Sequence, residues 1–575
     1  MQVFKLIENE IDDYISRKIQ ISEGYWFSQY DIIKRIMIFA NNIYPKGKLD
    51  KQGKYKYWID ITSPRIDSEV KNIDFDTKDI KLYSDSEKDS GAMMILNLAL
   101  KKWLRENKQA SEINDSIEES SGWGNVVWKQ TKEGYEKVDL KNFYVVNQIA
   151  KTLEDTPAIE KHILTQSELR KKKGIWNDNV ETVIKECGNK GFKTTPKGTV
   201  ENKETLYYEI YERNGEVSEE MLFAAQDKEG GDKDKFVLAK IVCAGLSASE
   251  KSGKYILFAE EISKMPYKEY HRGRYNGRWF RLGLIEILFD IQTRANEISN
   301  QIARGLEWAS KTIFRTQDDL LANNILTEMK NGDIIKSTDL QKIDMRMNGL
   351  DQLIADWNRL MQAADRLCNS YEVVTGESLP SGTPFRLGSM INQNATKLFT
   401  FLREKLAQSV QDIFQDWILP DLMKDLKKED VISLTGEEDG INKFYEVLVN
   451  GWYLKNLPSL PPHNAETAMA LKQQKFQELS SGKGNFVKLE KDWLKEIKPR
   501  VSVIISGENI NIAEEMESLA SFIQLEADPI RRTALIEMAM KKKGIDVEKL
   551  PKNPPQQAQA PQGASQGAGQ QQATA

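Results

Sequence analysis

The chain has 575 residues, 40% of them hydrophobic and 29% charged, with a formal net charge of -5. That length exceeds what one core organises, so two to four structural regions are expected. The acidic balance excludes a protein that grips nucleic acid by its phosphates, which would need a basic excess. Cys187, Cys243 and Cys368 are dispersed, form no CxxC pair and point to a reducing compartment. The opening MQVFKLIENEIDDYISRKIQ lacks the basic flank and apolar core of a secretion signal, and no apolar run is long enough to span a membrane. His162, His271 and His463 are scattered, and neither a GxxxxGK[ST] phosphate loop nor a GxSxG elbow is present. These absences argue against the commoner enzyme types, and no cofactor is expected.

Up to about residue 105 the pattern is helical with one extended break. Residues 25–39 (YWFSQYDIIKRIMIF) read as an apolar helix, followed by a Gly/Lys turn region and a short extended run at Trp58, Ile59 and Ile61. Ser63-Pro64 turns the chain into a helix through Val70, and 92–104 is another. Residues 121–242 read as β-rich. SGWGNVVWKQ and GYEKVDLKNFYVV are separated by a Lys-Glu-Gly turn, a hairpin signature. ETLYYEIYERNG, KFVLAKIVCAGL and KYILFAEEI are further strands, and DKEGGDKDK is an exposed loop. HRGRYNGR (271–278) reads as a solvated turn with aromatic packing, weighed against a phosphate-binding basic patch.

The middle of the chain is the most informative. Apolar or small residues recur at Leu284, Leu288, Ile291, Ala295, Ile298, Ile302 and Gly305, the four-three spacing of a long helix with one buried seam. Residues 311–347 then break into short strands and turns, with Asn331-Gly332-Asp333 as a turn signal. A second seam follows at Leu350, Leu353, Trp357, Leu360, Ala364, Leu367 and Tyr371. Two long helices therefore bracket a small module. The Gly/Pro/Ser-rich TGESLPSGTPFRLGS (375–389) forbids helix, and a third long helix, 390–418, stops at Pro420. Beyond 428, a helix is expected at 465–479, a strand at 500–506 and two helices in 513–543. The Gln/Ala/Pro-rich 551–575 cannot bury enough apolar surface to order itself.

This order of elements, centred on PYKEYHRGRYNGRWFRLGLIEILFDIQTRANEISNQIARGLEWASKTIFR, resembles the portal (head-tail connector) proteins of tailed bacteriophages. The resemblance covers about residues 58–428 and lies in the order of elements rather than in a short motif. It implies an α+β, mainly helical, portal-type architecture of wing, helical stem, small β-containing clip and helical crown. On that scheme 1–265 is an N-terminal wing region and 266–310 the strand approach and first stem helix. Residues 311–347 are the clip, 348–374 the second stem helix, 375–389 the tunnel loop and 390–428 a long wing helix. Residues 429–512 are a C-terminal wing part, 513–550 the crown candidate and 551–575 a disordered tail.

The resemblance also implies roles. Leu284, Leu288, Ile291, Ile298, Ile302, Leu353, Trp357, Leu360 and Leu367 would pack the stem, and Arg278, Trp279, Phe280 and Arg281 would anchor the hinge where strand becomes helix. Glu377, Ser378, Leu379, Phe385 and Arg386 would meet the DNA in the tunnel. Arg315, Asp318, Asp319, Lys330, Asp333 and Lys336 of the clip would face the terminase large subunit and head-tail adaptor proteins. The implied function is a dodecameric ring at one capsid vertex, a channel for packaging and ejecting double-stranded DNA without sequence specificity. Major capsid and scaffolding proteins would be its other partners, and it would reside in the virion after assembly in the bacterial cytoplasm, without membrane, cofactor or catalysis. Two other readings stay open. One is another virion or ring-forming structural protein; the other is a metal-dependent nucleic-acid hydrolase, which would need several carboxylates converging on a metal.

Overall fold

The computed structural model describes residues 2–310 with short breaks at 17–18, 23–24, 45–46, 51–52, 74, 76, 85–89, 133, 196–197 and 247–252; it then describes 313–315, 341–343, 349–369, 385–425, 431–433, 445–446, 449–450, 452–453, 456, 465–480, 486–488 and 499–503. The fold is α+β. α1 (Gln2–Ser16) buries Val3, Ile7 and Tyr14, and α2 (Gln29–Ala40) buries Ile33 and Ile36, each along one helical stripe. The apolar run at 25–39 is not one helix. Ser28 accepts a hydrogen bond from the Asp31 amide and caps α2, so the residues before it leave the helical path. They pair instead as β2 (Tyr25–Phe27) with β1 (Ile19–Ser22).

α3 (Ser63–Ile73), β3 (Ile80–Tyr83), α4 (Ser90–Glu106) and α5 (Gln109–Trp123) follow. The expected hairpin forms between β4 (Asn125–Thr131) and β5 (Gly134–Lys137), with Thr131 opposite Gly134. β6 (Phe143–Val145), β7 (Ala158–Leu164), α6 (Gln166–Lys171), α7 (Asn179–Glu186), β8 (Asn189–Thr195), β9 (Gly198–Ser218), α8 (Glu219–Ala225), β10 (Phe236–Ala244) and β11 (Tyr255–Glu261) complete the β-rich region. The larger sheet is antiparallel, in the order β11-β10-β9-β7-β6, with β8 also on β9. β12 (Tyr267–His271) joins a second sheet beside β4. The strand that leads into α9 is thus fixed to the first hairpin.

α9 (Leu284–Ile287) and α10 (Phe289–Ala309) form the first long helical stretch, broken at Leu288, whose backbone turns to φ -95 and ψ 0. β13 (Ile313–Arg315) and β14 (Gln341–Ile343) pair antiparallel across the ends of the insert, and α11 (Leu350–Cys368) returns. α12 (Phe385–Ile413) begins at Phe385 rather than Met390, and Pro420 does not stop it. Phe414–Ile418 widen into a π turn in which the Leu419 amide reaches Phe414 O, and α13 (Leu419–Asp425) continues. Proline lacks an amide hydrogen, and directly after the wide turn it occupies the first turn of α13, where no intrahelical donor is needed. β15 (Val431–Ser433), α14 (Ala465–Ser480) and β16 (Phe486–Lys488) follow. β17 (Arg500–Val503) pairs with β3, placing Val501 opposite Leu82.

The largest apolar core gathers α4, α5, β4, α12 and the π turn, with Leu100, Ile117, Trp128, Leu406, Phe414 and Val501 buried together. Among the described residues no helix is long and apolar enough to cross a membrane.

Candidate functional site

The first long helical stretch is built on the link between β12 and α9. Glu69, 0% exposed, accepts Nε and Nη2 of Arg272 at 2.6 and 2.7 Å. Arg278 holds both carboxylate oxygens of Glu286 at 2.9 Å, and Trp279 Nε1 donates to Glu269 at 2.6 Å. Trp279 and Phe280 are buried. The expected solvated turn at 271–278 is therefore corrected: its two arginines nearest the core are consumed by internal carboxylates, and only the middle of the segment is exposed. His271 Nδ1 donates to Asn125 Oδ1 at 2.7 Å, and burial lowers the His271 pKa. Gly124 has φ +88, and a Cβ there would lie 2.5 Å from both Arg281 O and Gly283 N. Gly124 and Gly283 let the start of β4 and the approach to α9 cross backbone to backbone.

The two seams meet each other. Leu284 and Leu288 pack with Ala364 and Cys368, and Ile291 lies against them. Farther along, Arg294 reaches Asp356 at 3.4 Å, so α10 and α11 run antiparallel. Ala295 and Ile298 are buried, while Ile302, Leu353, Trp357 and Leu360 are half-buried. Leu367 is 51% exposed and departs from the expected seam; Cys368 takes its place at 0%. A helix has 3.6 residues per turn, so a three-four pattern drifts, and after several turns the contact passes to the next residue.

Sequence spacing also contained a feature that apolar patterning overlooks. Gln292, Asn296 and Asn300 recur every four residues on α10. Their amide oxygens accept from the backbone of Ile61, Ile59 and Tyr57 at 3.0, 3.0 and 2.9 Å. Gln292 Nε2 and Asn300 Nδ2 return bonds to Ile59 O and Tyr57 O at 2.5 and 3.0 Å. The extended run at 57–61 is thereby strapped to α10 by side chains that imitate a strand edge.

The remaining expected residues divide simply. Arg315 ends β13, opposite Gln341. Phe385 and Arg386 start α12, which corrects their placement in a loop. Glu377, Ser378, Leu379, Asp318, Asp319, Lys330, Asp333 and Lys336 lie outside the described residues, as do the crown candidate and the Gln-rich tail.

One charged cluster was not foreseen. Glu160 and His162 on β7 and Glu212 on β9 share a sheet face and bring ligand-type atoms within 4.8 Å of one another. Lys129 Nζ lies between the two carboxylates, 2.6 Å from Glu160 and 2.8 Å from Glu212, and Lys240 reaches Glu212 at 2.9 Å. Burial alone would lower the Lys129 pKa and raise that of Glu212. Attraction to Glu212 and Glu160 more than reverses this for Lys129, and the His162 hydrogen bond with the nearby Lys129 and Lys240 does so for Glu212, so Lys129 is held above its ordinary value and Glu212 well below. An ammonium thus occupies the position a metal cation would take, and the cluster acts as an ionic clasp between the two sheets. No protein-family model matches this chain, and no curated protein matches it.

Proposed function

We propose that the chain is the subunit of a portal ring, through which double-stranded DNA enters and leaves a phage capsid. The carrying observation is the α10–α11 hairpin. It satisfies its internal seam yet leaves Leu306, Ile354 and Leu367 exposed by 51, 44 and 51%. Large apolar residues spaced along a rod of this kind favour packing against further copies of the rod, and a repeated head-to-tail contact that closes makes a ring. Charge agrees with a passage that does not hold its cargo. α10 carries Asp290, Glu297 and Glu307 against Arg294 and Arg304; α11 carries Asp351, Asp356 and Asp365 against Arg359 and Arg366. Neither helix offers the basic stripe that phosphate binding requires.

In this reading the β13–β14 pair is the base of the clip, which docks terminase and adaptors, and the segment before α12 supplies the tunnel loop. The β-rich layers form the wing against the capsid. Electron micrographs and native mass spectrometry of the purified chain test it. Closed rings of one size, twelve copies by the family resemblance, are expected; a monomer persisting at high concentration overturns the proposal.

A further inference from the structure

A groove of about 740 Å3 lies between α2, the segment 44–58 and α10. Its floor is aromatic. Phe39, Tyr44 and Trp58 are half-buried, and the rings of Phe39 and Tyr44 meet Trp58 at 77 and 73°, with centroids 5.6 and 5.0 Å away. Apolar surface left open in a concave site suits an apolar group of a ligand. The wall is set in advance. Along 55–59, Tyr55, Tyr57 and Ile59 face outward, 75, 62 and 38% exposed, while the alternate residues Lys56 and Trp58 line the groove. The amide ladder from α10 fixes the backbone of Tyr57 and Ile59, so little ordering remains for a ligand to impose.

Cations stand on all three walls: Arg35 on α2, Lys56 on the segment and Arg304 on α10. One carboxylate, Glu297, shares the lining among the described residues, and it lies 3.3 Å from Arg294. The cations are lightly held. Lys56 has no carboxylate partner among the described residues, and its Nζ donates to Gly47 O at 3.0 Å. Arg35 reaches Asp290 at 3.4 Å, and the side chain of that aspartate is fully exposed. Arg304 is 3.2 Å from Asp50 and 48% exposed. Hydrated pairs of this kind are weak and leave the cations open to a bound anion. On a chain of net charge -5, the groove is a local basic site. It is also long. From Thr293 to Arg304 the α10 wall rises about 16 Å, which an extended peptide covers in about five residues.

We propose that this groove binds an extended acidic segment of a partner protein, with one aromatic side chain seated on the Phe39, Tyr44 and Trp58 floor. Carboxylates on either side of that ring meet Arg35, Lys56 and Arg304. Three cations on separate walls exclude a basic ligand and are too far apart for a single carboxylate to serve. A nucleic-acid strand also offers rings and anions, but its full charge per nucleotide would meet the repulsion of an acidic chain. Two or three carboxylates satisfy the walls without that excess. The proposal does not depend on the ring reading.

Isothermal titration of the full chain with the capped pentapeptide Glu-Glu-Phe-Glu-Glu at low ionic strength tests it, since salt screens the cations. Saturable binding is expected. Replacing the peptide's phenylalanine by alanine should weaken it by about tenfold or more, the worth of one buried ring. The double variant Arg35→Gln, Lys56→Gln strands no buried carboxylate and should weaken it by about tenfold, because each exposed ion pair carries up to about a factor of five. The exposed pair Lys101→Gln, Lys172→Gln, away from the groove lining, should leave it within about twofold. Absence of saturable binding overturns the proposal. So does equal weakening by both double variants, equal affinity for Lys-Lys-Phe-Lys-Lys, or tighter binding of a thymidine pentanucleotide.

Discussion

Replacing Lys129 by methionine deletes one charge from the clasp between the sheets with little change in volume. The Lys129, Glu160 and Glu212 side chains are 7, 11 and 5% exposed, so solvent screens them little. After the substitution Glu212 keeps Lys240 at 2.9 Å and His162 at 3.2 Å. Among the described residues, Glu160 keeps only the Tyr267 hydroxyl at 3.2 Å and the His162 ring at 3.7 Å. Removing one partner of a buried pair costs about 3–5 kcal/mol because the other charge is stranded. Since Glu212 stays paired, the lower end, about 3 kcal/mol, is expected. Urea unfolding followed by tryptophan fluorescence at pH 7.5 and 5.5 measures it.

The pH dependence carries the sign. In the native chain Glu212 lies well below its ordinary 4.5, so its contribution is complete above that value and is lost only as pH falls through the depressed one. Lys129 lies above its ordinary 10.5, so its contribution is complete below that value and is lost as pH rises through the elevated one. Neither changes between pH 5.5 and 7.5. A deficit below about 1 kcal/mol refutes the clasp.

Arg272→Lys replaces a planar two-bond contact to fully buried Glu69 by a single one and should cost about 1–3 kcal/mol, read as a lower thermal midpoint. Asn296→Leu removes the acceptor of the Ile59 amide; hydrogen exchange at Ile59 should quicken by about tenfold while that of the buried Val127 strand is unchanged. Leu306→Glu with Ile354→Glu alters exposed positions only, so stability should move by no more than about 0.5 kcal/mol per site, whereas rings should vanish from native mass spectra. Cys243 and Cys368 are buried and their thiols are pushed up to about 12, so a thiol reagent at pH 8 should label neither until the chain is unfolded.

Local chemistry made much of the fold legible. The β4–β5 hairpin follows from its turn, α3 from Ser63-Pro64, and α10 and α11 from their seams. What escaped was decided at a distance. β7 reads AIEKHIL, and its charged middle hides a central strand because the partners that neutralise it, Lys129 and Glu212, come from other strands. The run at 25–39 satisfies helix and strand alike until Ser28 is read as a cap. Pro420 broke a local rule because the preceding π turn had already released the bond it would have broken. Of the α10–α11 hairpin, the seam was visible in apolar spacing, whereas the Gln292, Asn296 and Asn300 ladder required attention to polar spacing on the same helix.

The pairing of β17 with β3 has a temporal consequence. Val501 is a nearly inaccessible member of the core that Leu82, Leu100 and Phe414 also occupy, and its amide is held by Gln415 at 2.8 Å. A ribosome delivers residue 82 long before residue 501. During that interval the outer rim of β3 stays unzipped and sticky, so a nascent chain stalled anywhere in between presents a template for wrong partners. Maturation of this region is therefore gated by the synthesis of residues 500–503, and chaperone demand should peak just before they emerge.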